Sequence, residues 1–285
     1  MSDKFIDLYD CYIHSAEPRR VFLEKLVKAA GGVAAAAAVL PWLEGTGAEA
    51  AIIAPGDKRL VTGTETYQGA TGEMTAYVAR PRNARGRLPA IVIIHANRGI
   101  NDHFRDIARR LAVEGYLAIA PDMISPVGGT PKDRDKAREM LRSINRNEIS
   151  MNLIATAEFA AKHGRSNGKV GCIGFCWGGG KVNDLAVNYS KLKAAVAYYG
   201  SQPKKGIEKI NAALLLHYAG NDKRINRGVD AYVKALKAAG KAFTIHKYPG
   251  TRHAFNEDTR AGRYNKKAAT LSWKRTLAHF NKQLR

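Results

Sequence analysis

The stretch Gly171-Cys172-Ile173-Gly174-Phe175-Cys176-Trp177-Gly178-Gly179-Gly180 constrains this chain more than any other. It reads as a short apolar strand, a sharp turn with one side chain at its apex, and a glycine-rich helix start. That is the layout of a nucleophile elbow, usually spelled G-x-S-x-G, with Cys176 in the serine position. The turn is tight, so the residues two before and two after the apex must be small. Gly174 and Gly178 meet that need. A thiol at a helix start also gains from the positive helix end, which favours thiolate over thiol.

The flanking sequence alternates strand and helix patterns. Residues 64–67 and 74–79 alternate around Gly69 and Gly72 and predict a hairpin. The continuous apolar run at 90–95 predicts a buried parallel strand, and 117–120, 169–175, 194–199, 213–218 and 243–248 predict further strands. Helical spacing covers 101–114, 135–162, 178–189, 228–239 and 261–283. Short links between such elements predict an α/β fold: a doubly wound, mostly parallel sheet with helices on both faces, of the α/β-hydrolase type. Residues 51–285 are expected to form a single domain of this kind.

Residues 1–50 read differently. Arg19-Arg20-Val21-Phe22-Leu23 precedes an apolar run at 29–40, which Pro41 is expected to break, and Ala48-Glu49-Ala50 offers a small-residue cleavage site. Together these predict an export signal. The paired arginines make it resemble the twin-arginine type, so the mature chain is expected in the periplasm or secreted. The apolar run falls short of the roughly 20 residues that span a bilayer, so no stable membrane insertion is expected after cleavage. Cys11 would leave with the signal. Cys172 and Cys176 lie about 13 Å apart on an extended segment, too far for a disulfide, and should stay thiols.

The formal net charge is +21. Residues 51–285 hold 41 Lys/Arg against 18 Asp/Glu, spread along the chain. No basic stripe with interleaved aromatics appears, which argues against a nucleic-acid partner. A basic solvated surface is the expectation, with a preference for anionic substrates or surfaces as the alternative.

A nucleophilic cysteine needs a base, and the base needs a group to fix its tautomer. In α/β-hydrolases the chain order is nucleophile, acid, histidine. Asp222 follows strand 213–218 and His253 follows strand 243–248, where ligand-facing loops of such a sheet sit. Cys176, His253 and Asp222 are therefore the predicted triad. The oxyanion donors should be the backbone N–H of Trp177 and, from the loop after strand 90–95, Asn97. His217, His246 and His279 fit structural positions. No His/Cys spacing of a zinc site is present, so no metal is expected.

These residues, with His95-x-Asn97-Arg98-Gly99, Asn101, Glu114-Gly115-Tyr116, Pro121-Asp122, Tyr199-Gly200, Gln202-Pro203, Tyr248 and Phe255, resemble the dienelactone hydrolase family over 64–283. These are carboxymethylenebutenolidase-like α/β-hydrolases. The resemblance implies a cofactor-free cysteine hydrolase that opens a small-molecule ester or lactone through an acyl-thioester. Nucleophile, base and acid carry over onto Cys176, His253 and Asp222. Two positions depart from the family pattern. Ala96 stands where the family usually has a glutamate that pairs with the resting thiol. This implies that Cys176 rests on His253, and it motivates an alternative: a weakly active or non-catalytic ligand-binding protein on the same fold. Glu257 stands where the best-known branch has an arginine for the substrate carboxylate. Arg98 and Ala96 are left as candidate substrate contacts.

Overall fold

The computed structural model describes residues 3–44 and 51–285. Strands β1 (Leu60–Gln68) and β2 (Glu73–Pro81) form the predicted hairpin. They are followed by β3 (Leu88–Ile94), β4 (Leu117–Pro121), β5 (Ser166–Phe175), β6 (Ala194–Tyr198), β7 (Ala213–Ala219) and β8 (Phe243–Tyr248). Among the described residues these eight make one sheet in the order β1-β2-β4-β3-β5-β6-β7-β8. Only β2 runs antiparallel to its neighbours at one end; from β4 to β8 every pairing is parallel. β5, which leads into Cys176, is therefore an interior strand.

The continuous apolar runs are explained by burial on both faces. In β3, Ala90, Val92 and Ile94 pack against α6 (Arg146–Lys162) and α7 (Trp177–Asn188), through Leu153, Ala157, Val182 and Leu185. Ile91 and Ile93 point the other way, to Ile107 and Leu111 of α4 (Asp102–Val113) and Phe280 and Leu284 of α10 (Lys266–Leu284). Asn101 caps α4 as expected, its side chain accepting from the Phe104 N–H.

Three helix expectations are corrected. The single helix over 135–162 is two, α5 (Arg134–Ser143) and α6. Ile144 turns extended, and the Asn145 side chain accepts from the Asn147 N–H to start a new helix. The C-terminal helix begins at Lys266 and not at 261, where Asn265 caps it. Pro41 does not break the apolar run. It sits inside α3 (Val33–Glu44), near the helix end, where a missing N–H costs one bond. The break falls earlier, at Gly31 and Gly32, whose positive φ values of 83° and 149° suit glycine.

Helices α1 (Asp3–His14), α2 (Arg19–Ala30) and α3 share a small core of their own, built on Tyr9, Tyr12, Phe22 and Leu26. Arg138 of α5 donates to the Tyr12 carbonyl (2.8 Å), and Arg19 pairs with Asp135 (2.6 Å). Ala48-Glu49-Ala50 lies outside the described residues. No single helix among the described residues is long and apolar enough to cross a membrane; α2 and α3 meet that test only as a pair bent by 115°. Cys11, Cys172 and Cys176 are free thiols.

Candidate active site

β5 ends at Phe175 and α7 begins at Trp177, leaving Cys176 alone at the apex with φ 58° and ψ −115°. Its N–H donates to the Tyr198 carbonyl at the end of β6 (3.0 Å). The neighbouring glycines make room for this turn. A Cβ on Gly178 would collide with the carbonyl oxygens of Ile94 and His95, and one on Gly174 with the Gly178 backbone. The start of α7 is thus pressed against the end of β3. Among the described residues, the non-glycine positive-φ positions are Cys176, Tyr199 and Ala254. All three are at this site: the Tyr199 ring lies 4.9 Å from the His253 ring, and Ala254 follows His253. Strained backbone gathered at one place is typical of functional sites.

His253 and Asp222 come from the loops after β8 and β7. The Asn221 N–H donates to the Thr251 carbonyl (2.8 Å) and ties these loops together. His253 Nδ1 bonds Asp222 Oδ2 at 2.5 Å, both side chains being buried. Asp222 also accepts from the Ile225 N–H (3.2 Å) as it caps the short helix α8 (Lys223–Asn226). His253 lies within 4.8 Å of Cys176 Sγ, close enough for the two side chains to share a proton. Burial alone would push the thiol up and the imidazole down. For Cys176 the charge of His253, helped by Arg224 and the Trp177 N–H, outweighs burial and brings the thiol below its ordinary value. For His253 the Cys176 and Asp222 charges outweigh burial and raise it to about 9. The geometry therefore favours a thiolate–imidazolium pair.

The loop after β3 forms the facing wall. His95 is buried and accepts from the Met123 N–H at Nε2 (3.1 Å). Its Nδ1 must then carry the proton, which it donates to the Ala96 carbonyl (2.6 Å). The His95 ring stacks on Trp177 at 5.6 Å. Asn97 lines the same cavity as Cys176 and Trp177, with its side-chain amide donating to the Ile13 carbonyl (2.8 Å). Arg98 is buried and donates to the Tyr9 hydroxyl (2.5 Å) and to Asp135 (3.1 Å), so its guanidinium is engaged by α1 and α5. Glu257 forms a buried ion pair with Arg260 (2.8 Å). His217, bonded to the Tyr248 hydroxyl, and His279, bonded to the Ala213 carbonyl, are structural as expected.

Sequence reasoning missed His14. Its Nε2 lies 3.5 Å from Cys176 Sγ, and its ring meets the His253 ring edge-on at 4.9 Å. Its Nδ1 donates to the Asp10 carbonyl (2.9 Å). Ion pairs Asp7–Arg252 (2.7 Å) and Asp10–Arg263 (2.6 Å) hold α1 over the site. α1 divides the approach into cavities of about 670 and 710 Å³, and His14 lines both. Arg138, Arg142, Arg146, Lys181, Lys205 and Arg224 line the larger one, against Asp184.

A family model described as the dienelactone hydrolase family matches residues 74–284. A Salmonella typhi protein named for carboxymethylenebutenolidase is 34% identical over 240 residues, covering 79% of this chain and 88% of its own. An Escherichia coli K12 protein of the same name is 34% identical over 245 residues, with 80% and 90% covered. The crystal structure of a Klebsiella pneumoniae protein named for dienelactone hydrolase matches with a TM-score of 0.71 at 34% identity, over 78% of this chain and 98% of its own. The sheet and its elbow are those of the α/β-hydrolase fold.

Proposed function

The chain belongs to the dienelactone hydrolase family, and from that premise we propose that it is a cysteine-dependent hydrolase of carboxylic esters or lactones acting through an acyl-thioester on Cys176. The observation that carries this reading is the convergence of Cys176, His253 and Asp222, from three separate loops, into one hydrogen-bonded, charge-coupled site. The Cys176 thiolate attacks the carbonyl carbon. The backbone N–H groups of Trp177 and Asn97 hold the oxyanion. His253 gives its proton to the departing alkoxide, which stays attached to the acyl group when the substrate is a lactone. Asp222 keeps His253 oriented while it takes a proton from water, and the resulting hydroxide attacks the thioester. Collapse frees the acid and restores the pair.

Ala96 supplies no carboxylate beside the thiol, which supports a resting state in which Cys176 pairs directly with His253. The six cations of the larger cavity support an anionic substrate. We further assign residues 1–50 as a twin-arginine export signal and 51–285 as the hydrolase unit, acting in the periplasm or outside the cell. Arg19-Arg20 and Ala48-Glu49-Ala50 support that assignment.

The test is turnover of p-nitrophenyl esters and lactones by the wild type and by Cys176→Ala. The expected loss is at least about 1000-fold, with an acyl adduct on Cys176 trapped by mass spectrometry. Equal rates in the two proteins would overturn the mechanism. An inert wild type that binds lactones without forming an adduct would favour the ligand-binding alternative raised by Ala96.

A further inference from the structure

His14, Cys176 and His253 bring three metal-binding atoms within 4.8 Å of one another, although His14 lies 162 residues from the thiol. The protons around them are already committed. His14 Nδ1 faces the Asp10 carbonyl, which can only accept, so Nδ1 must be the donor. His253 Nδ1 faces the Asp222 carboxylate in the same way. His14 Nε2 is left with a bare lone pair facing sulfur at 3.5 Å, while Cys176 and His253 share one proton. In the thiolate–imidazolium pair that proton sits on His253, so the His14 lone pair faces a thiolate with no proton between them.

We propose that, while α1 is docked, His14 Nε2, His253 Nε2 and Cys176 Sγ form a three-ligand site for a zinc-type divalent cation that masks the nucleophile. A thiolate and two imidazoles are a ligand set that suits this borderline-soft, tetrahedral ion. The spacing agrees: tetrahedral bonds of about 2.3 Å to sulfur and 2.0–2.1 Å to nitrogen put N and S about 3.6 Å apart. The His14 Nε2 to Cys176 Sγ distance is 3.5 Å. The outer partners also fit. Metal-bound histidines donate their second N–H to a carbonyl or carboxylate, and here those are Asp10 and Asp222. The fourth position faces the cavities that flank α1, which gives the ion a route in and a place for water.

On binding, the proton shared by Cys176 and His253 leaves to solvent, and the thiolate and both Nε2 lone pairs are occupied by the ion. The group that would attack a carbonyl and the group that would move the proton are then both blocked. Undocking α1 removes one ligand of three and loosens the ion, so the N-terminal helix acts as the clasp of the mask.

The experiment uses the full chain with Cys11→Ser as reference, because Cys11 is an exposed thiol on the same cavity as His14. Metal-stripped protein is titrated with Co²⁺, read by its thiolate-to-cobalt absorption, and then with Zn²⁺ in competition. The expected result is one ion per chain, with His14→Ala weakening Zn²⁺ binding at least tenfold, on the order of the loss seen when a site loses a supporting group. Cys176→Ala should abolish the absorption band. Circular dichroism on each variant checks that it is folded. Equal Zn²⁺ affinity in reference and His14→Ala, a band that persists in Cys176→Ala, or no stoichiometric binding would each overturn the proposal. The readout is metal binding and not turnover, so failure of the hydrolytic mechanism and failure of the metal site are separately visible.

Discussion

At residue scale the site depends on how Cys176 and His253 share one proton. Burial opposes charge on both, yet each supplies the charge that the other needs, and Asp222 adds to His253. The thiolate–imidazolium pair should therefore persist over the range between the lowered thiol and the raised imidazole near 9. Below that range Cys176 gains a proton and nucleophilicity is lost. Above about 9, His253 loses its proton while the thiolate remains. Two probes should then part company: alkylation by iodoacetamide should hold its rate above pH 9, whereas ester turnover should fall because the leaving group is no longer protonated. In Asp222→Asn the carboxylate that helps to raise His253 is gone and the tautomer is no longer fixed. Its turnover should drop by about 100-fold or more, and its alkaline limb should move to lower pH. A pH–rate profile of wild type and Asp222→Asn checks this, and an unmoved alkaline limb counts against His253 as the proton donor.

At the scale of elements, the central strands and the elbow were legible because their signals are local. Apolar runs bounded by glycine and acidic turns mark β3 and β5 to β7, and Gly174, Gly178 and Cys176 lie within five residues. The order Cys176, Asp222, His253 was legible because each follows its own strand. Boundaries set by one side chain's hydrogen bond were not. Asn145 splits α5 from α6, and Gly31-Gly32, not Pro41, turns the chain between α2 and α3. α1 was missed because its interleaved charges hide the Ile6, Tyr9, Ile13 spacing of a buried face, and nothing local ties His14 to a thiol 162 residues away. The packing of α2 bears on export. Arg19 is ion-paired to Glu44 and Asp135 while Arg20 is exposed, so a receptor that reads both arginines must first draw α2 off the domain. Replacing both by lysine keeps the charge and the chance of pairing with Asp135 but removes the planar guanidinium fork. Arg19→Lys with Arg20→Lys should therefore leave the folded enzyme in the cytoplasm of a host with a twin-arginine pathway. Cell fractionation checks it, and undiminished export would remove the twin-arginine reading of 1–50.

For the whole molecule, the charge of +21 and the lining of the larger cavity point the same way. A basic surface alone attracts anions weakly and without regard to where they land. A concave wall of Arg138, Arg142, Arg146, Lys181, Lys205 and Arg224 concentrates that field beside Cys176. On the proposed mechanism it should distinguish an anionic ester from a neutral one of the same shape, and salt should remove the distinction. Raising ionic strength from about 0.01 to 1 M shortens the screening length from about 30 to about 3 Å, less than the width of such a cavity. The KM of an ester bearing a free carboxylate should climb steeply over that range, while the KM of its amide or methyl-ester counterpart stays nearly level. Arg142 and Arg146 are exposed on the cavity rim and away from the triad. Arg142→Gln with Arg146→Gln should raise the anionic KM several-fold at low salt, flatten its salt dependence, and leave kcat unchanged. Parallel salt curves for the charged and neutral esters would mean that the basic wall serves something other than substrate capture.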